Sequence, residues 1–141
     1  MSIDTGLELS PKKVEYIKFM NGKKGPVKTN DIAAVFGVDP STITKTIVEL
    51  ADEGLLEYVP YHGVSLSAKG KITVEFLIKR HRVLALALTH FSLSHEQACQ
   101  EVSRFESFVT KDTIDKMCRG MGHPNKGICG DITHNDGCLE L

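Results

Sequence analysis

Cys99, Cys118, Cys129 and Cys138 are the cysteines of this chain, and none lies in its first 98 residues. Thiols clustered in this way do metal or redox chemistry more often than they pair into disulfides where the compartment is reducing. His123 and His134 fall among them, and the last three cysteines are separated by 10 and 8 residues with Gly127, Gly130 and Gly137 nearby. Such a loop could wrap around a metal, and four thiols could complete a sulfur shell for zinc or an iron–sulfur cluster. No Cys-x-x-Cys pair is present, so spacing alone selects neither. Cys99, Ser103 and Glu106 recur at i, i+4 and i+7, which puts a thiol and a carboxylate on one helix face. Other readings stand beside these. Cys99 and Cys118 can be small buried apolar residues, Cys138 a redox-active thiol, and Glu106 a partner of Arg104 or Lys111. His90 and His95 read as surface or capping neighbours.

A second chemistry sits in Ser41-Thr42-Ile43-Thr44-Lys45-Thr46. Hydroxyls and a lysine at the start of a helix can bond phosphates and base edges of a duplex. Lys28 and Thr29, at the start of the preceding helix, can hold a phosphate, and His62 can reach the backbone or minor groove. Hydroxyls at a helix start also serve as simple caps. The sequence presents no nucleophile–base pair, no phosphate-cradling loop and no paired-carboxylate cleft, so an enzyme is not expected.

The elements that must position these groups are legible from stops and periodicity. Ser10-Pro11 opens a helix that runs to Met20 and ends at Asn21-Gly22. Thr29 caps a short helix through Phe36, and Gly37 ends it. Asp39-Pro40 opens a third helix to about Glu53, with Ile43, Ile47 and Leu50 as its core stripe. Leu55–Val59 and Gly63–Ser67 read as two strands joined by Pro60-Tyr61-His62, a hairpin wing. A long helix is expected from Ile72 to Phe91, another from Ser94 to Phe105 with a Ser94/Gln97 capping box, and a third from Thr110 to Met117. From Arg119 onward Gly, Pro, Asn and Asp predict little regular structure. Two helices joined by a tight Gly37-Val38 turn and followed by a hairpin make a winged helix-turn-helix. The long helix is apolar on most of its circumference, through Val74, Leu77, Ile78, Val83 and Leu84 to Leu88, and reads as a homodimer interface.

The net charge of −1 conceals an asymmetry: residues 1–82 carry 12 basic against 10 acidic side chains, and residues 83–141 carry 5 against 8. A basic face on the first half is thereby permitted. No long uncharged apolar run and no basic, apolar leader is present, so no membrane partner and a cytoplasmic location are expected.

The stretch Val27 to Lys71, with Asp31-Ile32-Ala33, Val38-Asp39-Pro40-Ser41-Thr42-Ile43-Thr44-Lys45 and Ser67-Ala68-Lys69-Gly70-Lys71, resembles the DNA-binding domain of the diphtheria toxin repressor family. The likeness continues through Lys79-Arg80-His81-Arg82, Gln100 to Ser107 and Gly122-His123-Pro124, so it covers most of residues 10–125. It implies an iron- or manganese-responsive homodimer on a palindromic operator, in the short form without an SH3-like domain. It also implies metal ligands at His81, Cys99 and Glu106, with Glu15 and Glu101 as weaker positions. Ala85, Ser103 and Ser107 depart from the ligands expected there, so the family's metal site is expected to be lost or rebuilt.

The reading is therefore a mainly α protein, with a winged helix DNA-binding domain over 1–72. A helical dimerisation and metal-binding domain with a Cys-containing tail follows over 73–141. Its metal set is His81, Cys99, Glu106, Cys118, Cys129 and Cys138, with Glu15, Glu101 and His123 weaker. A transition metal is expected as cofactor, iron or an iron–sulfur cluster ahead of zinc or manganese. The partners are double-stranded DNA and a second copy of the chain. A thiol redox-sensing regulator and a DNA-binding regulator with purely structural zinc are the alternatives.

Overall fold

The computed structural model describes residues 4–134, so Cys138 lies outside the described residues. They divide into two units, Pro11–Glu75, and residues 4–10 together with 76–134. The elements in order are α1 (Pro11–Asn21), α2 (Thr29–Phe36), α3 (Pro40–Asp52), β1 (Leu56–Val59), β2 (Gly63–Leu66), α4 (Ala68–Leu88), α5 (His95–Phe105) and α6 (Lys111–Gly120). Short 3-10 turns, Thr89–Phe91 and Glu106–Phe108, follow α4 and α5. Among the described residues, no helix is long and apolar enough to cross a membrane.

In the Pro11–Glu75 unit, the stripe Ile43, Ile47 and Leu50 of α3 is buried together with Val14, Ile17 and Ile32. Tyr16 adds an edge-on contact to Phe36 at 4.7 Å between ring centres. Lys13 of α1 reaches Glu53 at 2.7 Å and Glu49 at 3.3 Å, joining α1 to the end of α3. α2 ends on Gly37 in the left-handed region (φ 64), which turns the chain toward α3. The strands pair antiparallel from Leu56↔Leu66 to Val59↔Gly63. Gly63 has φ 114, and a Cβ there would sit 2.2 Å from the Val27 carbonyl oxygen. That close approach lets Val27 bridge to Val64, so the hairpin is fastened to the segment before α2.

Two starts differ from the sequence reading. Lys28, not Thr29, holds the cap position of α2, and no side chain bonds there. The long helix begins at Ala68, four residues early, because the Ser67 hydroxyl accepts from Gly70 N at 3.0 Å and donates to the Gly54 carbonyl at 2.5 Å. Gly70 reads as a breaker in sequence, but its lack of a side chain is a packing requirement. A Cβ would lie 2.1 Å from the Leu55 carbonyl oxygen.

In the other unit, the capping box predicted at Ser94 and Gln97 forms and opens α5, while Thr110 caps α6. Val83, Ala85, Val102 and Ile114 are fully buried. The residues before Pro11 belong to this unit rather than to the winged helix, and Arg80 supplies the physical reason. Its guanidinium is 0 % exposed and donates to the Gly6 carbonyl at 2.5 Å and the Val109 carbonyl at 3.3 Å. Burial works against that charge, and Glu106 and Glu8 support it. Lys111 N bonds the Thr5 carbonyl at 2.7 Å, so residues 5 and 6 are fixed from two sides.

These contacts predict opposite outcomes for two glycines. Gly70→Ala forces the Leu55 backbone to move and destabilises by about 1–3 kcal/mol. Gly25→Ala has nothing within 4 Å and is neutral or stabilising by up to about 1 kcal/mol. Urea denaturation of both variants checks the contrast, and equal midpoints would contradict it.

Candidate metal centre and nucleic-acid interface

The first turns of α3 are open to solvent: Ser41, Thr42, Thr44 and Lys45 are all exposed, while Ile43 is fully buried. Thr44 donates its hydroxyl proton to the Pro40 carbonyl at 2.8 Å, so its oxygen is left as an acceptor. Asp39 occupies the cap position without a side-chain cap bond, and Pro40 holds the first turn. Lys28 is exposed at the start of α2 and Thr29 is half-buried. His62 is exposed in the wing turn, but Tyr61 is the more prominent side chain there, 97 % exposed with φ 66. The sequence reading passed over Tyr61; an aromatic residue inside a Pro-Tyr-His-Gly turn was the available signal. Hydroxyls and lysines offered by one helix start, with a hairpin beside it, suit contacts to phosphates and base edges.

Three thiol- and imidazole-bearing segments meet elsewhere in the fold. His81 on α4, Cys99 on α5 and Cys129 have ligand atoms within 4.8 Å of one another. Cys129 is brought there by a tight turn. Lys126 bridges to Asp131, and Gly127 N bonds the Gly130 carbonyl at 2.8 Å. Arg82 clamps this turn by donating to the Asp131 carbonyl at 2.6 Å. Gly130 has φ 149, a backbone conformation that other residues rarely adopt, and a Cβ there would displace the end of the Arg82 side chain.

Glu106 is 4 % exposed, and its carboxylate lies 2.5 Å from His81 Nδ1. The sequence reading made Glu106 a metal ligand. From its buried position it holds the His81 ring, and its charge also acts on Cys99. Burial, then Cys129, then Glu106 hold the Cys99 thiol above its ordinary pKa.

The remaining expected ligands go elsewhere. Cys118, His123 and His134 form a separate group, with ligand atoms again within 4.8 Å. His134 was not among the expected ligands. Its signal was the pattern Cys-x4-His-x10-His in a polar segment. Burial, Lys79 and His123 lower the His134 pKa. A single centre of three or more cysteines is thus corrected among the described residues. Cys99 and Cys129 share one group, and Cys118 faces two histidines instead. Glu15 is exposed and pairs with Lys12 at 3.4 Å, and Glu101 pairs with Arg104 at 3.6 Å; neither is in a ligand group. Ser103 donates its hydroxyl proton to the Cys99 carbonyl at 2.9 Å and keeps only a weak hydroxyl oxygen to offer a cation, while Ala85 has no donor atom at all.

Residues 8–64 match the family described as iron dependent repressor, N-terminal DNA binding domain. Residues 67–133 match iron dependent repressor, metal binding and dimerisation domain. The transcriptional regulator MntR of Lysinibacillus sphaericus is 30% identical over 104 residues, which are 74% of this chain and 75% of that protein. MntR of Escherichia coli O157:H7 is 32% identical over 108 residues, covering 77% and 70%. A solved hypothetical protein from Sulfolobus solfataricus aligns with a TM-score of 0.76 at 26% identity, over 88% of this chain and 96% of that one. The manganese regulator SloR shares the fold, with a TM-score of 0.70 at 20% identity over 84% and 57%. The chain belongs to the iron-dependent repressor family, whose members are metal-dependent transcriptional regulators rather than enzymes.

Proposed function

We propose that this chain binds a palindromic operator as a homodimer, and that a cation held by His81, Cys99 and Cys129 raises its affinity for that operator. The observation that carries the reading is the convergence of those three side chains from α4, α5 and the Arg82-clamped turn. The donor set fits a divalent transition metal. Two thiols and an imidazole are soft to borderline ligands, which favour zinc or ferrous iron over manganese. In this respect the chain parts from relatives such as SloR, whose description names manganese.

A bound cation would supply a cross-link between α4, α5 and the 126–131 turn. The chain's own groups prepare for it. Glu106 keeps the His81 proton on Nδ1 and the ring in place. Arg82 holds the turn that carries Cys129. The Ser94–Gln97 capping box fixes the start of α5, one turn before Cys99. Phe91 and Phe108, 72 % and 69 % exposed, are large apolar side chains that a second copy would cover. A two-fold dimer presents two copies of the α3 start and so selects an operator of matching symmetry. Lys45 and Lys28 contribute the salt-dependent attraction to phosphate, and Ser41, Thr42 and Thr44 the contacts at base edges.

Four outcomes test this reading. Fluorescence anisotropy with a duplex recovered by selection from random sequence should show affinity about 5–150-fold higher with zinc or ferrous iron than without. His81→Ala and Cys129→Ala should remove that gain and leave the metal-free affinity within about twofold; equal wild-type affinity with and without metal would defeat the proposal. Lys45→Ala should weaken binding to selected and random duplexes alike and reduce the salt slope by about one phosphate. Gly130→Ala should displace the Cys129 turn and lose the metal response as Cys129→Ala does, with its helical circular dichroism unchanged.

A further inference from the structure

We propose that Cys118, His123 and His134 form a second cation site, a zinc site that ties residues 123–134 to α6 and is separate from the His81–Cys99–Cys129 centre. Cys118 sits in the last turns of α6, 0 % exposed. Its Sγ lies 3.7 Å from His123 Nδ1 and 3.4 Å from His134 Nδ1. A tetrahedral zinc with ordinary Zn–S and Zn–N bonds holds its sulfur and nitrogen ligands about 3.5 Å apart, so both separations already match the edges of such a site. A thiolate and two imidazole nitrogens at these separations make a soft-to-borderline donor set of the kind zinc takes.

The surroundings orient the rings for this role. His134 Nε2 bonds the Asn125 amide oxygen at 3.2 Å, which fixes that nitrogen as the donor and leaves the Nδ1 lone pair toward Cys118. The backbone brings His123 back to the helix end: its N–H bonds the Cys118 carbonyl at 2.8 Å, and its φ of 52 is in the left-handed region. Ile132 N bonds the Asn125 carbonyl at 2.9 Å, which closes the loop that returns His134. The rings of His123 and His134 meet edge to face, 5.5 Å apart. Ile132, 4 % exposed, is the one large apolar side chain that the 123–134 segment buries among the described residues. A cation there replaces the core this segment lacks.

Metal stoichiometry tests the proposal independently of any effect on operator binding. The full chain, stripped with a chelator and titrated with Zn2+ against a competing indicator, should bind two equivalents. His134→Ala and His81→Ala should each bind one, and the double variant none. His134 is partly exposed, so its replacement avoids the folding risk of changing buried Cys118. In the His81→Ala background, Zn2+ should still raise the melting temperature, and in the double variant it should not. A wild-type stoichiometry that His134→Ala leaves unchanged, whether one equivalent or two, would overturn the second site.

Discussion

The turn that carries Cys129 depends on a polar clamp added to the buried core of its unit. Arg82 reaches across the 126–131 turn to the Asp131 carbonyl, and the turn closes around the guanidinium because Gly130 carries no side chain. Without that contact Cys129 has no reason to lie beside His81 and Cys99. A charged donor to a backbone carbonyl is among the stronger hydrogen bonds a protein forms, but one such bond does not hold a loop by itself. The loop is pinned again by Ile132 and by the Asn125 carbonyl. What results is a ligand group drawn from two helices and a turn, with its histidine oriented by the buried carboxylate of Glu106.

Close backbone approach plays the matching part in the DNA-reading unit. Gly63 admits the Val27 carbonyl, and Gly70 admits the Leu55 carbonyl. The first fastens the wing to the strand-like segment before α2, and the second lets α4 start directly after β2. Both contacts leave the α3 start unencumbered, with Ile43, Ile47 and Leu50 buried and the hydroxyls and Lys45 outside. The reading surface is thus the polar face of a helix whose apolar face specifies its orientation.

Much of this was legible in sequence. Periodicity and stop signals predicted the six α-helices and both strands, though not every start; Pro40 and Ser94 with Gln97 are the plainest signals. The early start of α4 was not legible, since Gly70 looks like a breaker until the Leu55 backbone is seen against it. Nor was the placement of residues 4–10, which follows from Arg80, a residue whose pairing with carbonyls leaves no mark in local sequence. The thiols were recognised as chemistry, and among the described residues they fall into two groups rather than one. One centre of many cysteines seemed the simplest use of a Cys-rich tail. The turn at Gly130 instead sends Cys129 to His81 and Cys99, while the end of α6 keeps Cys118 with His123 and His134. Long-range grouping of ligands is set by loop geometry, which spacing does not encode.

The central claim is that the cation governing operator affinity is held by sulfur from Cys99 and Cys129. X-ray absorption at the zinc edge of the zinc-loaded protein on its operator tests it most directly. In the His134→Ala background, which removes the zinc held by Cys118, the account predicts zinc–sulfur scattering at about 2.3 Å that falls sharply when Cys99 and Cys129 are both replaced by serine, together with loss of the metal response. Sulfur scattering unchanged in that double variant, or a shell of oxygen and nitrogen alone in the wild type, would contradict it.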